Sequence, residues 1–420
     1  MTLLPFPKWI SGILLAGMVV IVTYKGILPS LVEISSDFPN YYTAGTIVIS
    51  GDSADRIYDD EWFQQEMNRI GFAQQGKFAP FPPATALLGV PLALNSPLVS
   101  LRVLTIVNIT FVVLSIILLS QSTSMSLMDS GILVFTSGLG LINCFRLGQL
   151  YIILSFLMIL GYWLYKREYR FFAGLVTGVF VPIKFFPVVL IAFFAMLREW
   201  RVVLGACFTI GFVSCLSVVV LGWQAHQTFL IDVLPRHLSG DLTMQDPFSA
   251  TFQSFQSLFR RMFVFDQQLN PHPFVDSHAL FTVFRLLIPG MLLAALLYLG
   301  IRVHGKNEAS LTYALFGLSC IFMLVISPAT ATYHTLLLWL PVGLLVSPPS
   351  VLDVRMRIAL ILLYCVLGWI PYRFFLHFDE GGLQTMLAYP RLGILTLMFI
   401  VSSRALSVRL GETLGGRSTF

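Results

Sequence analysis

The sequence predicts an all-α polytopic membrane protein with about 12 transmembrane helices and two larger segments on the outer side. Three observations carry this prediction. Only 11% of the 420 residues are charged and 56% are hydrophobic, against roughly 25% charged in a soluble domain, and the mean hydropathy is +0.82. The apolar residues fall in blocks long enough to span or enter a bilayer. The basic residues sit in small groups at block ends rather than on one soluble face, as membrane topology demands. The net charge of +5 and pI near 9.0 therefore do not point to nucleic acid.

Backbone immersed in lipid must satisfy its own hydrogen bonds, so each apolar block is a helix. The first, 9–28, follows Lys8 and looks like a signal sequence; lacking a small-x-small cleavage site, it reads as a retained helix. The polar segment 29–96 follows. Its last part, 80–96, is apolar but only about 14 residues long between prolines, too short to cross at 1.5 Å per residue. It reads as a re-entrant or interface-lying helix. Blocks 97–120, 131–145, 149–165, 171–183, 185–197 and 202–222 come next. Several are short enough to pair at polar elbows, as half-helices do around a cavity. A second polar segment, 223–280, precedes blocks 281–301, 310–327, 333–347, 358–374 and 389–403. No tandem repeat appears, and residues 1–420 read as a single integral-membrane domain.

With a cytoplasmic N-terminus and twelve crossings, the groups Lys166/Arg167/Arg170, Arg198/Arg201, Arg302/Lys306, Arg355/Arg357 and Arg404/Arg409/Arg417 all fall inside. The positive-inside rule supports that register. Both long segments and the elbows at 145–149, 184 and 328–334 then lie outside. This implies a multi-pass protein of the plasma (inner) membrane, with both termini cytoplasmic and its chemistry on the periplasmic or extracellular face. The five cysteines lie in or beside apolar blocks without a CxxC pair, so neither a disulfide framework nor a zinc site is indicated.

Ionisable groups near apolar elbows are costly, so each is a functional candidate. The outer side collects Asp37, Arg146, Lys184, Arg260, Arg261 and His334 from distant parts of the chain; the plainer alternative is snorkelling at the interface. Asp37, in SSDFPNYYTAG, stands before Phe38, Tyr41 and Tyr42, which suits a general base facing a ring-shaped substrate. Ser35, Ser36 or Asp37 would equally serve to cap a helix over Tyr41 to Ser50. The carboxylates Asp52, Asp55, Asp59, Asp60, Glu61 and Glu66 read as the solvated face of an outer helix. Arg146, in NCFRLGQLYIIL, can bind a phosphate bidentately, and Gln149 can bond a sugar hydroxyl. Lys184, in FVPIKFFPVV, needs an anion: a lipid phosphate, or a neighbouring aspartate. Gln253, Gln256 and Arg260 recur at spacings of three and four, placing them along one helix face. His334 reads either as a hydrogen-bonded structural group or as a participant. No metal-binding motif, Gly-rich phosphate loop or Ser-His-Asp arrangement stands out.

With these residues in view, the sequence resembles the integral-membrane glycosyltransferases of the GT-C superfamily. More narrowly, it resembles glycosyltransferase family 87, the polyprenyl-phosphate-mannose-dependent mannosyltransferases. The likeness runs over roughly 30–345 as ordered short motifs: DFPNYYTAGTIVISGDSADRIYD, FPPATALLGVPLA, LGQLYIIL, AGLVTGVFVPIKFFPVVL, QSLFRRM and SPATATYH. Leu147, Phe255 and Tyr333 depart from the common pattern, at positions that bear on sugar and acceptor rather than reaction class. The resemblance implies a GT-C-type fold with Asp37 as catalytic base. It implies that Lys184 and His334 line the donor's phosphate or sugar with Arg146 and Gln149 nearby, and that Gln256 and Arg260 close the site. The implied reaction is inverting transfer of a sugar, mannose by the likeness, from a polyprenyl-phosphate donor to a lipid or glycan acceptor of the cell envelope. No cofactor is expected, and a divalent ion is left open. The competing readings are a transporter or flippase of lipid-linked sugars, for which internal pseudo-symmetry is expected, and a non-catalytic assembly subunit.

Overall fold

The computed structural model describes residues 7–51, 54–184, 187–240, 246–306, 308–379 and 381–415. Asp52 and Arg417, and the first two residues of the expected 185–197 helix, lie outside the described residues. The regular secondary structure of the described residues is all helix; an isolated antiparallel bridge, Asp266–Asn270, is the β-pairing among them. Five helices are long and apolar enough to cross a membrane: Lys8–Ser30, Pro97–Ser122, Trp200–Leu221, His278–Val303 and Pro390–Glu412. Two bent pairs bring the number to seven, and Tyr151–Lys166, Arg170–Ile183, Ala309–Val325 and Thr332–Val346 are shorter apolar helices. By length and composition this is a multi-pass membrane protein.

The irregularities follow from particular residues. Pro29 cannot donate a hydrogen bond within the first helix, and the preceding turn, Thr23–Ile27, widens so that the Leu28 N–H reaches the Thr23 carbonyl. The expected 131–145 block is two helices, Leu127–Thr136 and Gly138–Leu147, bent by 69°. Ser137 at the break bonds the Val134 carbonyl and accepts from the Trp339 indole at 3.1 Å, so the buried kink keeps its polar atoms paired. The Val354–Trp369 helix stops before Pro371, which holds Ile370 in extended backbone. The chain then swings 84° into Tyr372–Phe378.

Both long polar segments carry cores of their own. In the first, Phe38, Tyr41, Ile47, Phe63, Met67 and Phe78 are buried together. There the Phe38–Ser50 helix lies directly on Thr85–Ala93, where Gly45 faces Gly89: a Cβ on Gly45 would fall 2.1 Å from the Gly89 backbone. In the second, Phe259, Met262 and Phe263 of the Phe255–Phe263 helix pack with Phe281 and Tyr389. The larger core, which includes the fully buried Trp339, lies among the remaining helices. The two segments meet the bundle around one cavity.

Candidate active site

The cavity has a volume of about 800 Å³ and is lined by residues from eight or more stretches of the chain, including Asp37, Arg146, Gln149, Lys184 and His334. Asp37, Arg146, Gln149, Lys184 and His334, all singled out from the sequence, thus share one cavity. Tyr41, Tyr42, Gln256 and Arg260 do not line it.

Asp37 occupies the position before the Phe38–Ser50 helix but makes no side-chain capping bond there. Its Oδ2 instead accepts from the Gln149 amide at 2.7 Å, and its Oδ1 accepts more weakly from Ser36 at 3.3 Å. Gln149 is brought to it by a helix end. Gly148 closes Gly138–Leu147 with a left-handed φ of 64°, a conformation glycine adopts without a steric cost, and a side chain there would strike Phe38. The Gln149 carbonyl oxygen of the amide is fixed in turn by the Tyr41 hydroxyl, which donates to it at 2.8 Å. Tyr41 to Gln149 to Asp37 is therefore a directed chain, with each donor pointing towards the carboxylate. Burial raises the Asp37 carboxyl above the usual carboxylate range, while the Gln149 and Ser36 bonds and the Lys184 charge oppose that shift. A carboxylate raised in this way is a stronger base than one in water.

Lys184 follows the short helix Phe180–Ile183 in extended backbone, and its neighbour is anchored by the Thr85 hydroxyl, which donates to the Ile183 carbonyl at 2.8 Å. Its ammonium lies 3.6 Å from the centre of the Phe81 ring, with Tyr151 and Tyr41 at 5.6 and 6.0 Å. No carboxylate lies within 4.0 Å of it among the described residues. Burial lowers its pKa to about 7, with the Asp37 charge acting in the opposite direction. Phe81 is held for this contact by the Tyr58 hydroxyl on its carbonyl at 2.7 Å and by stacking on Tyr41. The loop before it is laced by Gln64 to Gly76 and by Asn40 to Lys77.

His334 is buried against Tyr151 and Tyr333. Its Nδ1 accepts from the Ala331 N–H at 2.9 Å, which places the proton of the neutral ring on Nε2. Arg146 is exposed at the cavity mouth.

Tyr41 lies beneath the cavity, behind Gln149. Tyr42 turns away, its hydroxyl bonding the Asn95 carbonyl at 2.7 Å. Gln256 and Arg260 both donate to the Ser239 carbonyl, Arg260 at 3.0 Å, and hold the end of Leu234–Ser239 rather than lining the cavity. Gln253 precedes the Phe255–Phe263 helix, so the three do not form one helix face; it bonds the Ala250 and Ala388 carbonyls instead. Asp59 caps Asp60–Ile70 and pairs with Arg56 at 2.9 Å, in keeping with a solvated acidic helix.

The sequence reading missed Lys77, His237, Tyr372, Arg373 and Arg391, all of which line the cavity. His237 is held neutral, its pKa lowered to about 4 by burial and by the positive charges of Lys184 and Lys77. The lining thus combines several cations with Asp37 as its carboxylate. No group of three or more His, Cys, Asp or Glu placed to hold a metal occurs among the described residues.

Such an arrangement suits proton abstraction beside an anion held by cations. No curated protein and no solved structure matches the chain. The profile of Glycosyltransferase family 87 matches residues 78–328, more than half of the sequence and a stretch that contains Arg146, Gln149 and Lys184. The chain belongs to glycosyltransferase family 87.

Proposed function

We propose that the protein is an inverting glycosyltransferase of GT-C type that moves a sugar from a polyprenyl-phosphate donor to a lipid or glycan acceptor on the outer face of the membrane, across which it passes about twelve times. Mannose is the sugar the family likeness favours. The observation that carries this reading is Asp37: it leaves its own helix uncapped and presents a carboxylate of raised basicity to a cavity whose other charged walls are cationic.

Asp37 takes the proton of an acceptor hydroxyl as that oxygen attacks the anomeric carbon. The bond from this carbon to the phosphate oxygen breaks, and the electron pair leaves with the phosphate. The configuration inverts. Because the leaving group is already a stable anion, no general acid is needed, and one carboxylate suffices where glycoside hydrolysis usually uses two. Lys184 binds the donor's phosphate and stabilises the charge that grows on it. Arg146 adds charge at the mouth, and His334 offers its Nε2 proton to the sugar or phosphate.

Reconstitution of the purified chain with radiolabelled polyprenyl-phosphate sugars and a panel of lipid and glycan acceptors tests the proposal. Transfer of label to an acceptor is expected. Use of nucleotide sugars, with no transfer from any polyprenyl phosphate, would overturn the donor assignment.

A further inference from the structure

A smaller groove lies between two helices at their ends away from the cavity. It measures about 300 Å³ and is lined by Arg355, Met356, Ala359, Ile400, Val401 and Arg404. The first three belong to the Val354–Trp369 helix and the others to Pro390–Gly415, and these helices pack together. At their other ends both reach the cavity, which Leu367, Ile370 and Arg391 line. Arg355 stands fourteen residues before Trp369 and Arg404 thirteen after Arg391, so each arginine is about 20 Å along its helix from the cavity. The groove therefore lies towards the membrane face opposite the cavity.

Its lining is ordered. Arg355 and Ala359 are four apart on one helix, as are Ile400 and Arg404 on the other, so each pair shares a face, its members about 6 Å apart along the axis. The helices run in opposite directions, and on both the arginine is the member farther from the cavity. The groove thus has a cationic end near the membrane surface and an apolar end towards the bilayer centre. Both arginines are exposed, and no carboxylate lies within 4.0 Å of either among the described residues. Of the acids closest in sequence, Asp353 accepts from the Met356 N–H and Glu412 pairs with Arg409. The flanks are apolar: Ile358, Leu362, Leu397 and Ile400 are at least half exposed, as side chains that meet lipid tails are.

A lone interfacial arginine needs only to snorkel to water. Two arginines from different helices at the head of an apolar slot match an amphiphile, with an anionic head and a hydrocarbon tail in the same order. We propose that the groove binds one anionic glycerophospholipid of the leaflet opposite the cavity. Its phosphate lies between Arg355 and Arg404, which meet it with forked hydrogen bonds, and an acyl chain runs along Ala359, Ile400 and Val401. A zwitterionic choline head brings the same phosphate but sets a trimethylammonium beside two guanidinium groups. The site depends on the multi-pass fold and not on the transferase reading.

The full chain in detergent micelles is titrated with dioleoyl phosphatidylglycerol or dioleoyl phosphatidylcholine, and bound lipid is counted by native mass spectrometry. The first phosphatidylglycerol is expected to bind about tenfold more tightly than the first phosphatidylcholine, the scale of one to two arginines on an anionic headgroup. Arg355→Gln combined with Arg404→Gln should remove that preference, whereas Arg198→Gln combined with Arg201→Gln, at a basic pair outside the groove, should leave it. Ala359→Phe keeps both charges but fills the slot, and should weaken the first phosphatidylglycerol several-fold. Glycerol 1-phosphate, which has the head without the chains, should not displace it. Equal affinities for the two lipids in the unmutated chain overturn the proposal, whatever the stability of the variants. Loss of the preference in the Arg198→Gln, Arg201→Gln chain, or full phosphatidylglycerol affinity in Ala359→Phe, also overturns it, by assigning the lipid to general attraction at the interface. Displacement by glycerol 1-phosphate overturns it by showing a site for phosphate alone.

Discussion

Replacing Lys184 by arginine should remove the alkaline limb of the pH–rate profile. Burial lowers the Lys184 pKa to about 7, and only the ammonium form attracts a phosphate. Affinity then scales with the protonated fraction, which falls from about one half at pH 7 to roughly 0.03 at pH 8.5. Donor affinity should weaken roughly sixteenfold over that interval, or about 1.6 kcal/mol. The acid limb has the opposite origin: Asp37 acts as a base only when ionised, and its raised pKa means that activity is lost as pH falls through a value above the usual carboxylate range. The profile of kcat/KM, which reports the free enzyme, should therefore be bell-shaped. The profile of kcat should extend further to alkaline pH, because bound phosphate favours the ammonium. Guanidinium stays charged beyond pH 12, so in Lys184→Arg the acid limb should persist and the alkaline one vanish, even with KM altered by the different shape of the fork. An alkaline limb unchanged in this variant would refute the assignment of Lys184 to the donor phosphate.

Four other outcomes follow from the same geometry. Asp37→Asn should lower kcat by about 10² to 10⁴, the scale of a lost general base, with little change in melting temperature because no capping bond is lost; near-normal turnover in the purified variant would remove Asp37 from the mechanism. Gln149→Leu takes away the amide that donates to Asp37, so the acid limb should move to higher pH and kcat should fall about tenfold to a hundredfold, as a pH profile would show. Gly45→Ala drives a methyl into the Gly89 backbone and should destabilise the first outer segment by about 1–3 kcal/mol or more, read as a lower melting temperature. Gln256→Ala loosens the Leu234–Ser239 helix end and should lower stability with little effect on donor KM; a large rise in KM would return Gln256 to the site.

The helices were legible because lipid removes alternatives: an apolar run has to be helical, and its length limits where it ends. The expected blocks 97–120, 149–165, 202–222 and 281–301 correspond to Pro97–Ser122, Tyr151–Lys166, Trp200–Leu221 and His278–Val303. The break at Ser137 was not legible, since it depends on Trp339 arriving from 202 residues away to pair with the serine. Convergence of Asp37, Arg146, Gln149, Lys184 and His334 could be expected from charges stranded at apolar elbows. Arg391 escaped the same reasoning because an arginine at the start of an apolar helix looks like an interfacial anchor; only the swing after Pro371, which brings Tyr372 beside it, gives it a cavity to line. Gln256 and Arg260 misled for the converse reason: helical spacing fixes which side chains are neighbours, not what they face. The capping alternative for Asp37 could not be separated from catalysis by spacing, because the competing partner, Gln149, is 112 residues distant.

On the proposed function, the separation of the two opposite charges would let one site both abstract a proton and hold a phosphate. Had Lys184 formed a contact pair with Asp37, the carboxylate would be a weaker base and the ammonium would already have its anion. Neither group would then be ready for substrate. The fold avoids this by giving each a different partner. Asp37 is oriented by a neutral amide, whose other end is fixed by Tyr41, and Lys184 rests on the face of Phe81. An aromatic face stabilises an ammonium less than a carboxylate does, so Lys184 remains the better placed to respond when a phosphate arrives. In the proposed reaction the charge it regains on binding would persist while the phosphate departs, and Asp37 would keep the basicity that burial confers for the acceptor hydroxyl.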